Sequence, residues 1–486
     1  MNKPIRTMAS FCLVLFLALM LNATYLQYVR ADDLNDDARN RRVAIAAFSR
    51  ERGAILVGRD PVAESVASDD EFEFQRTYPA PFKYAHLTGY FSYFSQTGIE
   101  QTQNEVLSGE DSRLFVTRLV DLIQNSTPQG GRVQLTINPT AQDAAFDGLR
   151  ALGDDVEGAV VALEPTTGRV LAMVSSPSFD PNRLASHDIS EVTDTYEVLN
   201  DDETMPLLNR GIQTALPPGS TFKLVTAAAA LESGAYDADS LVPGGRDFKL
   251  PQSSVRVPNY DGGDCGGDRI SLTQALAISC NVSFLSLADE LGGEAMLAQA
   301  EAFGFNDTYL EDLPAQGISR YPATLDPPQT AMSGIGQSEV AATPLQMAMV
   351  VAGIANGGEL NRPYVVEEVQ SPDYRTLDKT GRDSLGRAIS AGTARQLTDM
   401  MVATVVSGTA TAAQIPGVAV AGKTGTAQSS RNRPPYAWFV SFAPADDPVV
   451  AVAVLVESSS YPRDEIAGGR LGAPIAKAVM EAVIGP

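Results

Sequence analysis

Two histidines, three cysteines, one tryptophan and seven lysines are all that 486 residues contain of these types. His86 and His187 stand far apart and in no ligand spacing, so a histidine-based metal centre and a Ser-His-Asp triad both lack their parts. Both are expected in surface or loop positions, and no metal or cofactor is implied. Basic residues are outnumbered by acids, 36 to 59, and the net charge of −23 argues against a phosphate-binding face and hence against nucleic acid as a partner. The acids fall in short clusters (Asp32-Asp33, Asp69-Asp70-Glu71, Asp201-Asp202-Glu203), which read as solvated loops rather than metal ligands.

What is present begins with an apolar run from Met8 to about Tyr28, long enough as a helix to cross ~30 Å of hydrocarbon. Lys3 and Arg6 before it and Asp32-Asp33 after it place the amino end inside and the body outside the membrane. A signal peptide cleaved near Val29 and Ala31 is the competing reading. Cys12 lies within the run rather than after it, which argues against a lipid anchor. Residues 1–7 are then a cytoplasmic tail, 8–28 an anchor and 29–155 a non-catalytic unit with few periodic runs, followed by a catalytic domain over 156–486. Within that last unit, Ala159–Leu163 and Arg169–Val174 about Pro165-Thr-Thr-Gly168 predict a hairpin. Strands are also expected over Tyr436–Ala443 and Val449–Glu457, and a closing helix over Pro474–Val483. Ala-rich helices are expected over 221–232, 271–291 and 343–356. Strands at both ends around a helical middle predict an α+β fold, an antiparallel sheet covered by helices.

Three short motifs could carry chemistry. Pro217-Pro218-Gly219-Ser220-Thr221-Phe222-Lys223 opens an apolar helix, and a spacing of three puts Ser220 and Lys223 on one face. Burial disfavours a lysine's charged form, so Lys223 could act as a neutral base for a Ser220 nucleophile. S-x-x-K is common by chance, but this is the only copy, and it spends one of seven lysines inside an apolar helix. Ser279-Cys280-Asn281 falls in the stretch expected to be helical, where a hydroxyl and an amide could relay a proton and hold a substrate amide. A second S-x-N, Ser430-Arg431-Asn432, is set aside because it lies in a polar loop. Lys423-Thr424-Gly425-Thr426 follows an alternating strand pattern. Its glycine would let a ligand backbone approach, and Lys423 with the hydroxyls of Thr424 and Thr426 would receive a carboxylate.

The order S-x-x-K, S-x-N, K-T-G is shared by penicillin-recognising serine enzymes. Over nearly its whole length the chain resembles the class B penicillin-binding proteins, especially the actinobacterial penicillin-binding protein A type. Arg52-Gly53-Ala54-Ile55 and Gly98-Ile99-Glu100 are similar to landmarks of the pedestal of that family. Gly334-Ile-Gly-Gln337, Thr343-Pro-Leu-Gln-Met347 and Ser407-Gly-Thr-Ala410 are similar to landmarks of its catalytic domain. The resemblance implies a D,D-transpeptidase in which Ser220 attacks the D-Ala-D-Ala bond of a peptidoglycan stem peptide, Lys223 takes its proton and Ser279 returns one to the leaving group. Asn281 completes the second motif. Lys423, Thr424, Gly425 and Thr426 would bind the terminal carboxylate, and the N–H groups of Ser220 and Thr426 would form the oxyanion hole. β-Lactams would trap Ser220. Implied partners are the cytoplasmic membrane, a polytopic glycan polymerase, and cell-division or elongation proteins.

A D,D-carboxypeptidase or β-lactamase would need a group that activates water, and none is identifiable. A sensor would carry a cytoplasmic signalling portion, whereas about seven residues precede the span. A divisome scaffold would not require all of Ser220, Lys223, Ser279, Asn281 and Lys423. Outside the membrane, Cys265 and Cys280 are expected to form a disulfide beside Asn281, worth ~3 kcal/mol for a loop of about fifteen residues. The alternative is a buried thiol at Cys280 and a free one at Cys265. Thiol titration of denatured, unreduced protein should find Cys12 alone; reaction at Cys265 and Cys280 would refute the bridge.

Overall fold

The computed structural model describes residues 2–30, 45, 48–115, 129–260, 262–428 and 433–485. Asp32-Asp33, Ala31 and the second S-x-N copy lie outside these residues. The apolar run forms a helix, Asn2–Thr24, continued by a π-turn at Tyr25–Val29. Among the described residues, Lys3–Val29 is the one helix long and apolar enough to cross a membrane.

The catalytic region is built on a five-stranded antiparallel sheet. Its order in space is Ala421–Ala427, Tyr436–Ala443, Val450–Ser458, Glu157–Leu163 and Val170–Ser176. Strands from both ends of the region therefore pair, as expected. In the two central strands side chains alternate between two cores: Val161, Leu163, Ala451 and Ala453 enter one, while Val160, Ala162, Val450 and Val452 enter the other. Burial on both faces explains why these strands are apolar throughout rather than at every second position. Helices Pro139–Arg150 and Ala473–Ile484 cover one face. The Pro344–Ala355 helix, apolar but for Gln346, lies on the other.

Two parts of the expected division differ. Helix Pro139–Arg150, assigned to the non-catalytic unit, packs on the catalytic sheet: Gln142 Nε2 donates to Met173 O and Gln142 Oε1 accepts from Met173 N, each at 2.9 Å. Conversely, Val366–Gln370 and Thr376–Lys379, from the middle of the catalytic region, complete the pedestal's six-stranded sheet beside Arg132–Leu135. An unpaired strand edge needs covering, and the chain returns to cover it. Of the two histidines, His187 keeps to the expected loop position and His86 does not. His86 sits half-buried on helix Pro81–Thr88 with Nε2 2.9 Å from Pro206 O, and burial lowers its pKa to about 4. His187 lies half-buried in a loop, with Nδ1 against Asp70 Oδ2 at 2.5 Å.

The two pedestal landmarks meet in a buried ion triad. Glu100 accepts from Arg52 Nε at 2.6 Å and from Arg76 Nε at 2.7 Å. All three side chains are buried. Burial alone would raise the Glu100 pKa, but Arg76 and Arg52 together hold it below the ordinary carboxylate value. Removing one partner of such a group strands the others without solvent, a loss of ~3–5 kcal/mol. Glu100→Ala should therefore lower the urea midpoint strongly. Asp143→Ala, which breaks the partly exposed Lys83 pair, should cost under ~1 kcal/mol; comparable losses would show that the triad is not special.

Candidate active site

Ser220 sits on a tight 3-10 turn, Gly219–Thr221, immediately before helix Lys223–Glu232. The turn is pinned from three sides. Gly219 N donates to Gly336 O at 3.1 Å, Trp438 Nε1 donates to Pro217 O at 3.0 Å, and Thr221 Oγ1 donates to Pro218 O at 2.7 Å. Gly336, at φ +67°, comes so close that a Cβ there would lie 2.2 Å from Gly219 O. The landmark Gly334–Gln337 is thus a brace for the turn that carries Ser220.

Lys223, first residue of the helix, is 0 % exposed. Its Nζ donates to Ser279 O at 2.7 Å, Asn281 Oδ1 at 2.8 Å and Ser279 Oγ at 3.2 Å. Burial, and then the nearby charge of Lys423, hold its pKa well below the ordinary lysine value. Lys423, also 0 % exposed, donates to Ser279 Oγ at 2.9 Å and to Thr424 O at 2.9 Å. Burial lowers its pKa to about 7. Ser279 therefore bridges the two lysines through one hydroxyl.

That bridge depends on a correction to the expected secondary structure. Ser279-Cys280-Asn281 is not inside a continuous helix. It is the break between Leu272–Ala277 and Asn281–Ala302, with Ser279 at φ 61°. Residues two apart on a helix face away from each other, whereas the break turns both side chains toward Lys223. Cys265 and Cys280 are joined, with Cα atoms 5.9 Å apart, at the same break.

Strand Ala421–Ala427 is the sheet edge, and it passes beside the nucleophile turn. The role of Gly425 differs from the expectation. A Cβ there would meet Thr221 Cγ2 at 2.9 Å, Pro218 O at 3.0 Å and Trp438 Cβ at 3.0 Å, so the glycine admits the nucleophile turn rather than a ligand. Nor does the Lys423 amine face the opening; it is turned to Ser279. Ser220, Ser279, Asn281, Thr424 and Thr426 do line one cleft of about 990 Å³. Its walls also carry Thr409, Arg463 and Arg470, which sequence reading missed. Thr409 Oγ1 lies 2.7 Å from Thr424 Oγ1 and belongs to the Ser407–Ala410 landmark, so a signal existed for it. The two arginines belong to no motif; the Gly468-Gly469 pair beside them was the readable sign.

Residues 158–481 match the penicillin binding protein transpeptidase domain, and residues 52–133 match the penicillin binding protein A dimerisation domain. The chain belongs to the penicillin-binding transpeptidase family. It is 45% identical over 491 residues to the peptidoglycan D,D-transpeptidase PbpA of Mycolicibacterium smegmatis, covering 100% of this chain and 99% of that one. Its counterpart in Mycobacterium tuberculosis is 42% identical over 498 residues, with the same coverage. The ceftriaxone acyl-enzyme structure of penicillin-binding protein A from M. tuberculosis superposes with a TM-score of 0.87 at 41% identity, covering 91% of this chain and 100% of that one. Its penicillin G acyl-enzyme gives 0.85 at 41% identity, covering 90% and 100%.

A cluster with two buried lysines has a signature in stability. A lysine whose folded pKa lies below its unfolded value of ~10.4 binds fewer protons folded than unfolded, so its contribution falls as pH drops through that window. For Lys423 the window runs from ~10.4 down to about 7. In urea unfolding, the stability of wild type relative to Lys423→Met should rise with pH across this range, by up to ~1.4 kcal/mol per unit; a flat difference would mean that Lys423 stays charged.

Proposed function

We propose that this serine D,D-transpeptidase joins peptidoglycan stem peptides through an acyl-enzyme formed on Ser220. The observation that carries the assignment of residues is the hydroxyl of Ser279 held between two buried lysines beside Ser220 in an open cleft. Neutral Lys223 takes the Ser220 proton as Oγ attacks the carbonyl carbon of the D-Ala-D-Ala bond. The main-chain N–H groups of Ser220 and Thr426 receive the oxyanion, a feature worth ~3–4 kcal/mol per donor. When the intermediate collapses, the peptide C–N bond breaks. The departing D-alanine amine takes a proton relayed from Lys223 through Ser279. An acceptor amine then attacks the ester carbonyl, loses a proton by the reverse route, and Ser220 is freed.

Thr424 and Thr426 hold the terminal carboxylate, with Lys423 acting behind them by orienting Ser279 and supplying positive potential. Asn281 orients Lys223. β-Lactams acylate the same serine because they present a carboxylate and a reactive carbonyl. Residues 8–28 anchor the chain once in the cytoplasmic membrane, with the pedestal and the catalytic region outside, where the Cys265–Cys280 bridge is compatible with the redox environment. The pedestal is the surface left for a lipid-linked glycan polymerase and for division or elongation proteins.

Intact-mass measurement of the full chain in detergent after exposure to benzylpenicillin tests the assignment. Wild type should carry one stable adduct and Ser220→Ala none. Rapid release of hydrolysed antibiotic would indicate a hydrolase. A folded sample with neither adduct nor turnover would indicate a scaffold.

A further inference from the structure

The helix Asn281–Ala302, which begins at the second motif, has no cap of its own. Cys280 holds the N-cap position without a side-chain bond to the first amides. Such amides are unsatisfied unless something outside the helix accepts from them. Here the acceptor comes from a separate loop: Asn259 Oδ1 receives Asn281 N at 3.0 Å and Val282 N at 3.2 Å. Asn259 is 6 % exposed. Its Nδ2 donates to Gly245 O and Gly263 O, each at 2.9 Å, so the amide orientation follows from its bonds. The preceding carbonyl, Pro258 O, accepts from Asn281 Nδ2 at 3.2 Å, which turns Asn281 Oδ1 to Lys223 Nζ.

We infer that Asn259 is a positioning residue for the reaction: by capping the helix from another loop it fixes Asn281, and with it the reversed turn at Ser279, against Lys223. A left-handed conformation at a serine persists only where its surroundings impose it. On one side Cys280 N donates to Ala275 O at 2.8 Å; on the other side the Asn259 cap holds the chain. The inference rests on the transpeptidase reading above. Asn259 acts on the Ser220 proton only through Asn281 and Lys223.

The test is a double-mutant cycle on the full chain, read as the second-order rate constant for acylation by benzylpenicillin. Asn259→Ala and Asn281→Ala should each slow acylation by about tenfold or more, while the double variant should be within ~2-fold of Asn281→Ala. Multiplying losses, or an Asn259→Ala protein within ~3-fold of wild type, would overturn the inference. Should Asn259→Ala fail to fold, Asn259→Asp keeps the acceptor, replaces the donors to Gly245 and Gly263 by an oxygen and adds a negative charge of the sign that a helix N-terminus favours. Acylation within ~3-fold of wild type then supports the cap, and a rate as low as that of Asn281→Ala overturns it. Acylation of wild type at Ser220 separates failure of this inference from failure of the general assignment.

Discussion

The arrangement of the cleft hangs on one hydroxyl. Ser279 Oγ lies 3.2 Å from Lys223 Nζ and 2.9 Å from Lys423 Nζ, and both lysines are wholly buried. Two like charges in a dry site repel, so the pair is stable only where protons can be given up and the nitrogens have oxygens to bond. Ser279 supplies two such oxygens, its carbonyl and its hydroxyl, and Asn281 a third. The cost of burying lysine is thereby converted into chemical readiness: a nitrogen that ordinarily holds its proton firmly becomes able to exchange it near neutral pH.

Three elements must converge for this, and each pays a local conformational price. The helix carrying Ser279 breaks and reverses at a positive φ. The nucleophile turn tightens to a 3-10 turn that Trp438 and Gly336 hold in place. The edge strand carrying Lys423 omits a side chain at Gly425, where the turn packs. None of these departures is stable alone. Together they satisfy one another, because the bonds that each element loses in regular structure are made to the next element.

The pedestal is not an independent bead on a string. Strands Val366–Gln370 and Thr376–Lys379 leave the catalytic region to pair in its sheet, and Thr136 N donates to Val365 O at 2.8 Å where the chains cross. At its centre Glu100 accepts from both Arg52 and Arg76, offsetting one of their two positive charges. A shared sheet ties the pedestal to the catalytic region, and a buried ion triad holds the pedestal's own elements together.

The fold class and the chemical parts were legible in the chain. Strands such as Val450–Ser458 announce themselves by apolar runs, and seven lysines are few enough that one inside the apolar stretch after Ser220 stands out. Local composition decides such features, because burial and period act on near neighbours. Helix Pro139–Arg150 falls before the expected start of the catalytic region, yet it packs on that region's sheet through Gln142 and Met173 and on helix Ala473–Ile484, more than three hundred residues away, and neither contact leaves a mark in the local sequence. Arg76 carried no motif, although it completes the triad that Arg52 and Glu100 begin. The break at Ser279 was hidden for the same reason. Its flanking residues form helix readily, and only contacts with Lys223, Lys423, Asn259 and the Cys265 bridge make the reversed turn the lower-energy choice. Sequence thus determined which groups are present and which segments are regular. Tertiary structure alone decided where regularity fails, because that failure is stabilised by residues distant in the chain.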